Sequence, residues 1–459
     1  MTSKLNKLLA LVLALVMVIG VCSACSKKAE EPTDTPAEGP AETPAENPAE
    51  DSEETPAQTP AEGKTITIMW PETDATQVDV MENYIQPALA KQFPDINFEY
   101  TAAPLNVDSP LKTLSASGDL PDIWYTGGGD MDALLAAGDC LNLYPYVDEA
   151  WIQENFNNPD LIYYDSETIF FMPPGQNAYY SPVFYYNKAI FEDNGIEVPN
   201  NMDEFVAACQ TLVDAGITPI TTAGWTSSAC LISGIISAAD PAAYKALTEG
   251  TIDWTDDAIR NALGYFDQLK LMGAFAPDTP NKDDAAAYAE FQNGSAAMIL
   301  TYSWFNGDMV EENLGFAAGS FSFPNTGDDY IQLIFEPRKG CGCGYTGNAH
   351  SDDPALLASI LQVMVANESV RHNNCGVSTN FKVENPAQAP NDFEAARFAD
   401  YDRAANQISV LYQGNMDGAT IAEFTTLYNM LMSADMSYLS EDFIAELQPI
   451  WDVNTKAAS

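Results

Sequence analysis

Short strand-like segments alternate with helical segments along the first part of this chain, and this alternation constrains its fold most. Residues 65–70 alternate polar and apolar side chains, which predicts a strand, and residues 81–92 follow with the apolar spacing of a helix. Residues 96–100 and 121–125 predict two further strands, separated by a helix that ends at Gly118. Strands and helices that alternate at this spacing indicate a parallel sheet with helices on both faces.

The same alternation returns later in the chain. Residues 183–187, 218–222 and 296–300 predict strands, residues 203–213 predict a helix, and the tail 353–456 is mainly helical. About 395 residues follow the N-terminal region, and a single hydrophobic core does not usually grow that large. The sequence therefore predicts an α/β protein with two lobes that several crossing segments join.

The N-terminus has the pattern of an export signal. Two lysines precede the apolar residues 8–21, a stretch shorter than the roughly 20 residues that a membrane-spanning helix needs. Two small residues stand directly before Cys25, and this arrangement resembles a lipoprotein signal with an acylated cysteine. Cys22 stands where such signals usually have an aliphatic residue, and an ordinary secretory signal without a lipid is the alternative. We expect a lipoprotein signal peptide at residues 1–24 and a lipid on Cys25.

Residues 25–63 have the composition of a tether. Proline recurs at positions 32, 36, 40, 44 and 48, and residues 29–63 include eleven acidic residues but no basic or aromatic one. Such a segment buries too little apolar surface to offset the entropy of ordering, and its prolines and like charges keep it extended. We expect a disordered acidic tether that holds a folded domain away from a membrane.

The charge of the chain excludes two classes of partner. Because 66 acidic residues stand against 19 basic ones, nucleic acid and anionic lipid surfaces would be repelled. No loop has the alternating acidic spacing of a calcium site, no CxxC pair occurs after Cys25, and histidine occurs only at positions 350 and 372. We expect neither a metal nor a cofactor.

The cysteines leave two interpretations open. Six follow Cys25, at positions 140, 209, 230, 341, 343 and 375. An even number in an exported chain is compatible with disulfides, and buried free thiols are the alternative. Cys341 and Cys343 would point to the same side of a strand, where a disulfide between them would be strained. We interpret these two as small packing residues, with redox or metal chemistry as the alternative.

A series of short motifs resembles one protein family. The motifs are Ser-Gly-Asp-Leu-Pro-Asp-Ile at 117–123, Tyr-Tyr-Asn-Lys at 185–188, Gly-Ile-Thr-Pro-Ile at 216–220, Phe-Gln-Asn-Gly-Ser-Ala-Ala-Met at 291–298 and Ser-Trp-Phe at 303–305. They are similar, in the same order, to motifs of the extracellular sugar-binding proteins of bacterial ABC importers, solute-binding protein family 1. The resemblance spans about residues 66–345.

The resemblance implies a two-lobed periplasmic-binding-protein fold, type II-like, in which crossing hinge strands join the lobes and the ligand cleft lies between them. On this basis we expect an N-terminal lobe at 64–181 and 296–343 and a C-terminal lobe at 182–295 and 344–459. The chain departs from the family at residues 339–345, where glycines alternate with two cysteines.

The resemblance also implies a function. We expect a monomeric binding protein, not an enzyme, that captures an extracellular mono- or oligosaccharide and delivers it to the permease subunits of an ABC importer. Its lipid anchor would hold it on the outer face of the cytoplasmic membrane, as in Gram-positive bacteria.

Three tryptophans are candidates for sugar contact. A sugar presents flat apolar C–H faces and a ring of hydroxyls, so its site requires aromatic platforms and fixed polar groups. Trp70, Trp225 and Trp304 each follow the end of a predicted strand, where open α/β sheets hold ligands. We predict that these three are stacking platforms; core packing is the alternative for each.

The other candidates for ligand contact are polar side chains in predicted loops and one glycine of the predicted crossing strand. They are Glu72, Asp130, Asn177, Tyr180, Arg338 and Gly342. The carboxylates would hold sugar hydroxyls by charge-assisted hydrogen bonds, with solvated surface as the alternative. Arg338 precedes the interlobe glycines, which suit a strand that must bend near the ligand, and pairing with an acid at the hinge is its alternative.

A lipid-anchored extracellular glycoside hydrolase is the alternative function. Such an enzyme needs two carboxylates at a set separation, and a chain with 66 acids offers many pairs. However, no hydrolase motif occurs, and neither do GxSxG, HExxH or a P-loop. A structural adhesin would be expected to have repeats in its folded part, and none is visible.

The lipid assignment predicts that Cys25→Ser releases the protein from cells into the medium, because the acylated residue is lost. Immunoblots of the membrane and medium fractions measure this, with Cys22→Ser as the matched control that keeps the protein anchored. A Cys25→Ser protein that stays in the membrane fraction contradicts the assignment.

Overall fold

The structure is a computed structural model that describes residues 64–72, 75–104, 109–126, 128–172, 180–276, 278–335, 344–384, 388–416 and 418–458. The predicted signal peptide 1–24, the lipid at Cys25 and the tether 25–63 lie outside the described residues. The described residues belong to one compact unit.

The strands form two four-stranded sheets and one two-stranded sheet. They are β1 (Thr65–Pro71), β2 (Asn97–Ala103), β3 (Ile123–Thr126), β4 (Pro182–Asn187), β5 (Thr218–Thr221), β6 (Ala296–Tyr302), β7 (Ala318–Phe321), β8 (Ile331–Ile334), β9 (Gly344–Gly347) and β10 (Asn406–Ser409). The strand orders are β2-β1-β3-β9, β5-β6-β4-β7 and β10-β8. We call the sheet β2-β1-β3-β9 with the residues packed on it the first lobe, and β5-β6-β4-β7 with the residues packed on it the second lobe.

Helices cover both sheets. The α-helices are Ala75–Asp79, Gln86–Gln92, Leu111–Ser117, Gly128–Ala137, Glu149–Asn155, Lys188–Asp193, Met202–Asp214, Gly224–Ala239, Pro241–Thr248, Asp257–Met272, Asp284–Gln292, Glu311–Leu314, Pro354–Asn374, Asp392–Arg403, Leu411–Gly414, Gly418–Leu431 and Ser440–Ala458. A π-helical segment, Val80–Ile85, joins the first two, and 3₁₀ turns lie at Tyr144–Tyr146, Pro159–Leu161, Thr279–Asn281 and Ser303–Gly307.

The first sheet confirms the strands predicted near residues 65–70, 96–100 and 121–125. β1 pairs in parallel with β2 and β3, whereas β9 pairs antiparallel with β3. Alternation along β1 turns Ile66 and Ile68 into the core, where they pack with Leu357 and Leu361 of the helix Pro354–Asn374. This burial fixes which face of the sheet the helix covers.

The second sheet departs further from the predicted parallel pairing than the first, in which only β9 is antiparallel. β5 and β6 are parallel, but β4 runs antiparallel to both of its neighbours, β6 and β7. The helix Gly224–Ala239 lies in the core of this lobe and is buried along nearly its whole length. The C-terminal helices, through Tyr428 and Phe443, pack into the same core.

Two predicted lobe assignments are wrong in part. Residues 296–343 were expected in the N-terminal lobe, yet β6 lies between β5 and β4 in the second sheet. Residues 344–459 were expected in the C-terminal lobe, yet β9 pairs with β3 and the helix Pro354–Asn374 packs on the first sheet. Strand pairing and burial decide these assignments, and the order of segments along the chain does not reveal them.

A buried ion-pair cluster joins the two lobes. Asp308 of the second lobe accepts hydrogen bonds from Thr76 Oγ1 at 2.5 Å and from Arg371 Nη2 at 3.0 Å, both in the first lobe. Arg371 Nε donates to Asp79 at 2.9 Å. Burial raises the pKa of Asp79, but hydrogen bonds from Arg371 and Asn83 outweigh it and lower that pKa overall. Asp308 and Arg371 are both buried, so water screens their attraction weakly.

Removal of the Asp308 carboxylate should destabilise the protein strongly. We expect Asp308→Ala to lower the free energy of unfolding by about 3 kcal/mol, because it leaves a buried guanidinium without one of its two acids. Urea titration of the ligand-free protein measures this. The control is Glu249→Ala, which removes an exposed pair with Lys245 at 3.9 Å and should cost less than about 0.5 kcal/mol. Equal effects of the two changes would contradict a stabilising role for the cluster.

Candidate functional site

Five aromatic side chains gather at one edge of the second sheet. They are Tyr180, Trp225, Tyr302, Trp304 and Phe335, and we call them the aromatic cluster. The parallel strands β5 and β6 end at this edge, and Trp225 and Trp304 follow them. β4 is antiparallel to β6, so Tyr180, which precedes it, arrives at the same edge. Phe335 follows β8, and its backbone N–H donates to the Tyr180 carbonyl at 2.7 Å.

Three of these rings are stacked. The ring centroids of Trp225 and Trp304 are 5.7 Å apart with planes 15° from parallel, and those of Trp225 and Tyr302 are 5.8 Å apart at 14°. Tyr302 and Trp304 stack at 4.6 Å and 28°. Tyr180 meets Trp304 edge-on at 5.0 Å, and Phe335 meets Tyr302 edge-on at 4.9 Å. Each such pair contributes about 0.5–1.5 kcal/mol beyond its buried area, so stacking restrains the tilt of the rings.

Exposure increases from the base of the stack to its surface. Tyr302 is fully buried, its hydroxyl lies beside the thiol of Cys230, and burial raises the pKa of both groups. Trp304 is half-buried, and Trp225 keeps 36% of its surface exposed. The stack therefore presents an indole to solvent on a base that belongs to the core of the second lobe. An apolar surface that is ordered in advance lowers the entropy lost on binding a ligand.

The backbone at Trp225 sits tightly against a neighbouring loop. Trp225 is the second residue of the helix Gly224–Ala239, and the Gly224 N–H donates to the Lys282 carbonyl at 2.9 Å. A Cβ at Gly224 would lie 2.5 Å from the carbonyl oxygen of Pro280, closer than such atoms approach. Glycine is therefore required here, because any side chain would push the start of the helix away from the loop.

The loop is fixed in turn by a buried lysine. Lys282 Nζ contacts Asp278 at 2.9 Å, Thr221 Oγ1 at 3.2 Å and the carboxylate of Glu290. Thr221 Oγ1 also donates to Glu290 at 2.6 Å, and the hydrogen bond from Lys282 lowers the pKa of Asp278. The ammonium thus connects the loop to the end of β5, directly beneath the start of the helix that carries Trp225.

The structure brings together three of the predicted contacts and separates others from them. Tyr180, Trp225 and Trp304 lie in the aromatic cluster. Trp304 was expected in the N-terminal lobe and lies instead in the second lobe with Trp225, because it follows β6.

The other described candidates belong to the first lobe. Trp70 is only 7% exposed and packs in the core with Ile66 and Ile68, so its ring is not presented as the predicted platform. Glu72 is exposed at the end of β1. Asp130 is buried, and its carboxylate pairs with Lys112 at 3.0 Å, which corrects the expectation of a carboxylate open to a ligand. Asn177, Arg338 and Gly342 lie outside the described residues, as do Cys341 and Cys343.

Sequence reasoning missed Tyr302 and Phe335, whose rings contact that of Trp225, and Asp284, which accepts a hydrogen bond from the indole. Every residue of β6 is buried, so its pattern does not show that Tyr302 faces a site. Phe335 directly follows the strand residues Ile-Gln-Leu-Ile at 331–334, and an aromatic residue just past the end of a strand was the available signal. Asp284 carried no signal, because it is one acid among many.

Three further properties of the described residues concern metal binding, cysteines and membrane spans. Among them, no three His, Cys, Asp or Glu side chains are grouped so as to hold a metal ion. Cys140, Cys209, Cys230 and Cys375, the cysteines in the described ranges, are free thiols, and burial raises the pKa of Cys140 to about 12. No helix of the described part of the chain is long and apolar enough to cross a membrane.

Comparison with known proteins defines the class. The family of bacterial extracellular solute-binding proteins matches residues 74–368. The chain therefore belongs to the bacterial extracellular solute-binding protein family.

Individual relatives agree with this assignment. The chain is 25% identical over 263 residues to the multiple sugar-binding protein of Streptococcus mutans, a match that covers 55% of this chain and 60% of that relative's length. A solved chitin oligosaccharide binding protein is similar with a TM-score of 0.67 and 22% identity, covering 86% of this chain and 100% of its own. The solute-binding protein RafE in complex with raffinose has a TM-score of 0.64 at 19% identity, covering 84% and 99%. These likenesses confirm the two-lobed periplasmic-binding-protein fold.

The contact at Gly224 yields a prediction about the loop. Gly224→Ala should lower the free energy of unfolding by roughly 1–3 kcal/mol, because the new methyl group meets the Pro280 carbonyl. The control is Gly264→Ala, within the helix Asp257–Met272, where a Cβ meets nothing within 4 Å. That change should stabilise the helix by roughly 0.5–1 kcal/mol. Urea titration measures the free energy of unfolding of both variants. If both substitutions raise it, the Pro280 loop moves to accommodate the methyl group and the prediction is wrong.

Proposed function

We propose that this protein captures an extracellular carbohydrate, either a mono- or an oligosaccharide, and delivers it to the permease subunits of an ABC importer. The observation that carries the proposal is the exposed Trp225 indole on its stacked base. An indole face matches the apolar C–H face of a sugar ring, and the ordered base limits the entropy lost when the sugar stacks. Support also comes from the relatives, whose names refer to multiple sugars, chitin oligosaccharide and raffinose.

The polar part of the site is proposed to come from the segments beside the aromatic cluster. Tyr180 and Phe335 belong to the cluster, and they adjoin the segments that contain Asn177, Arg338 and Gly342. These three therefore remain proposed ligand contacts. Hydroxyl groups that lose water on binding require such partners, because an unpaired polar group in a dry site is costly.

Ligand capture is proposed to shift the two lobes toward a closed arrangement. A ligand favours that arrangement only if it contacts both lobes, since equal affinity for two states shifts nothing. The second lobe supplies Trp225 and Trp304. Glu72, exposed at the end of β1, is the proposed partner from the first lobe.

Anchoring and assembly are proposed from the sequence and the family. A lipid on Cys25 and the acidic tether would hold the protein, as a monomer, on the outer face of the cytoplasmic membrane. The family's extracellular character supports this location. We propose binding without catalysis, so glycoside hydrolysis is an outcome that the test below must exclude.

The stacking role predicts that Trp225→Ala weakens carbohydrate binding about 5- to 150-fold, the equivalent of about 1–3 kcal/mol for a lost aromatic platform. A thermal-shift screen of mono- and oligosaccharides identifies the ligand, and titration calorimetry measures the dissociation constant. Tyr146→Ala, which removes an aromatic side chain that is 42% exposed in the first lobe, is the matched control and should leave binding unchanged.

Three outcomes would contradict the proposal. Unchanged affinity of the Trp225→Ala protein would place the ligand elsewhere. A screen in which no carbohydrate raises the melting temperature would argue against carbohydrate capture. Cleaved oligosaccharide after incubation with the protein, detected by chromatography, would favour the hydrolase.

A further inference from the structure

Trp225 is held by a hydrogen bond as well as by stacking. Its Nε1–H donates to Asp284 Oδ2 at 2.7 Å. Stacking restrains the tilt of an indole but leaves it able to slide and rotate in its own plane. A hydrogen bond from the ring nitrogen removes that freedom, and bonds to a charged acceptor are about twice as strong as neutral ones.

The position of Asp284 suits this contact better than a role in its own helix. The helix Asp284–Gln292 is capped by the preceding residue, Asp283, whose side chain accepts from the Ala286 N–H at 2.8 Å. The carboxylate of Asp284 is directed instead at the other helix, where Oδ1 also lies 3.4 Å from Thr226 Oγ1. Two adjacent aspartates therefore serve two different helices.

The helix that carries Trp225 lacks a side-chain cap of its own. Its N-cap residue is Ala223, which has no polar side-chain atom. A carboxylate near the first turn offsets the partial positive charge of a helix N-terminus. Asp284 thus contacts the side chains of Trp225 and Thr226, in the first turn of a helix whose N-cap residue provides no side-chain cap.

The helix that carries Asp284 is anchored in the core of the second lobe. Ala287 and Phe291 of its helix are buried, and Glu290 of the same helix is bonded to Thr221 and Lys282. The carboxylate is therefore positioned by the core of the second lobe and not by the indole that it holds.

We propose that Asp284 is a positioning residue for carbohydrate binding, which fixes the Trp225 indole in the orientation in which a sugar ring stacks on it. This inference rests on the proposed function. The preference for ligands that present a flat C–H face comes from stacking on the indole, and Asp284 adds a fixed position of that indole within the stack.

A double-mutant cycle tests the inference. Phenylalanine at position 225 keeps a stacking ring but has no N–H to donate. We expect Asp284→Ala to raise the dissociation constant of the carbohydrate found in the thermal-shift screen about threefold to tenfold in the natural protein. This is the scale of one lost hydrogen bond. In the Trp225→Phe background, Asp284→Ala should change it by less than about twofold. An equal loss in both backgrounds would show that Asp284 contacts the sugar itself or acts through the fold, and no loss in the natural protein would show that stacking alone holds Trp225. Either result overturns the inference.

Two further variants separate positioning from stability. Asp284→Asn keeps an oxygen that accepts from the indole, so it should restore most of the affinity that Asp284→Ala loses. Asp283→Ala removes the neighbouring helix cap, so it should lower the melting temperature and leave the dissociation constant unchanged. If Asp283→Ala weakens binding as much as Asp284→Ala does, the effect is structural and the inference is wrong.

A measurement without ligand keeps this inference distinct from the proposed function. The near-ultraviolet circular dichroism of Trp225 is the difference between the natural protein and Trp225→Phe. We expect Asp284→Ala to diminish that difference, because an indole that shifts and turns within its stack contributes less. An undiminished difference overturns the inference even if carbohydrate binding through Trp225 is established.

Discussion

The complete burial of β6 is the constraint on which the rest of this structure depends. The strand lies between β5 and β4, and each of its seven residues is buried. Its last residue, Tyr302, is the base on which Trp304 and Trp225 stack. Because Tyr302 is fixed by the core, stacking on it restrains the tilt of the Trp225 indole, and the hydrogen bond to Asp284 restrains its position. A site that is ordered in this way loses little entropy on binding, which is the main energetic requirement for a flat and weakly polar contact.

Much of the fold could be predicted, because several strands alternate polar and apolar residues and glycines end several helices. β1, β2 and β3 were predicted within a few residues, and the helix Leu111–Ser117 ends at Gly118, whose φ of 77° is the left-handed conformation that glycine adopts readily. The lobe to which β6 belongs could not be predicted. A fully buried strand has no alternation of polar and apolar residues. Its own sequence therefore does not predict the strands with which it pairs. Trp304 was assigned to the wrong lobe for that reason. Trp70 could have been placed correctly, because it shares the inward face of β1 with Ile66 and Ile68.

Several of the few basic residues are buried, which the composition of the chain does not show. The chain has 66 acidic and 19 basic residues, and Arg338 was the one base predicted to contact the ligand. In the structure, four other basic residues lie in the interior. Lys270, Lys282, Arg371 and Arg397 are each at most 9% exposed. Lys282 and Arg371 are paired with two acids each, and Arg397 is paired with Glu394. Buried cations require such partners, whereas acids can remain solvated at the surface. The acidic balance therefore describes the surface, and the bases help to organise the core.

One short turn connects the aromatic cluster to the contact between the lobes. The turn Ser303–Gly307 carries Trp304 near its start, and Asp308, the acid that binds Arg371 of the first lobe, follows directly. Its middle is held firmly, because Asn306 Nδ2 donates to Glu394 at 2.7 Å and a Cβ at Gly307 would lie 2.9 Å from that of Cys375. A packed turn of this kind moves as a unit, since close-packed interiors deform little. A ligand that shifts Trp304 would therefore also shift Asp308. The turn therefore sets Trp304 of the aromatic cluster four residues before Asp308, the acid that contacts the first lobe.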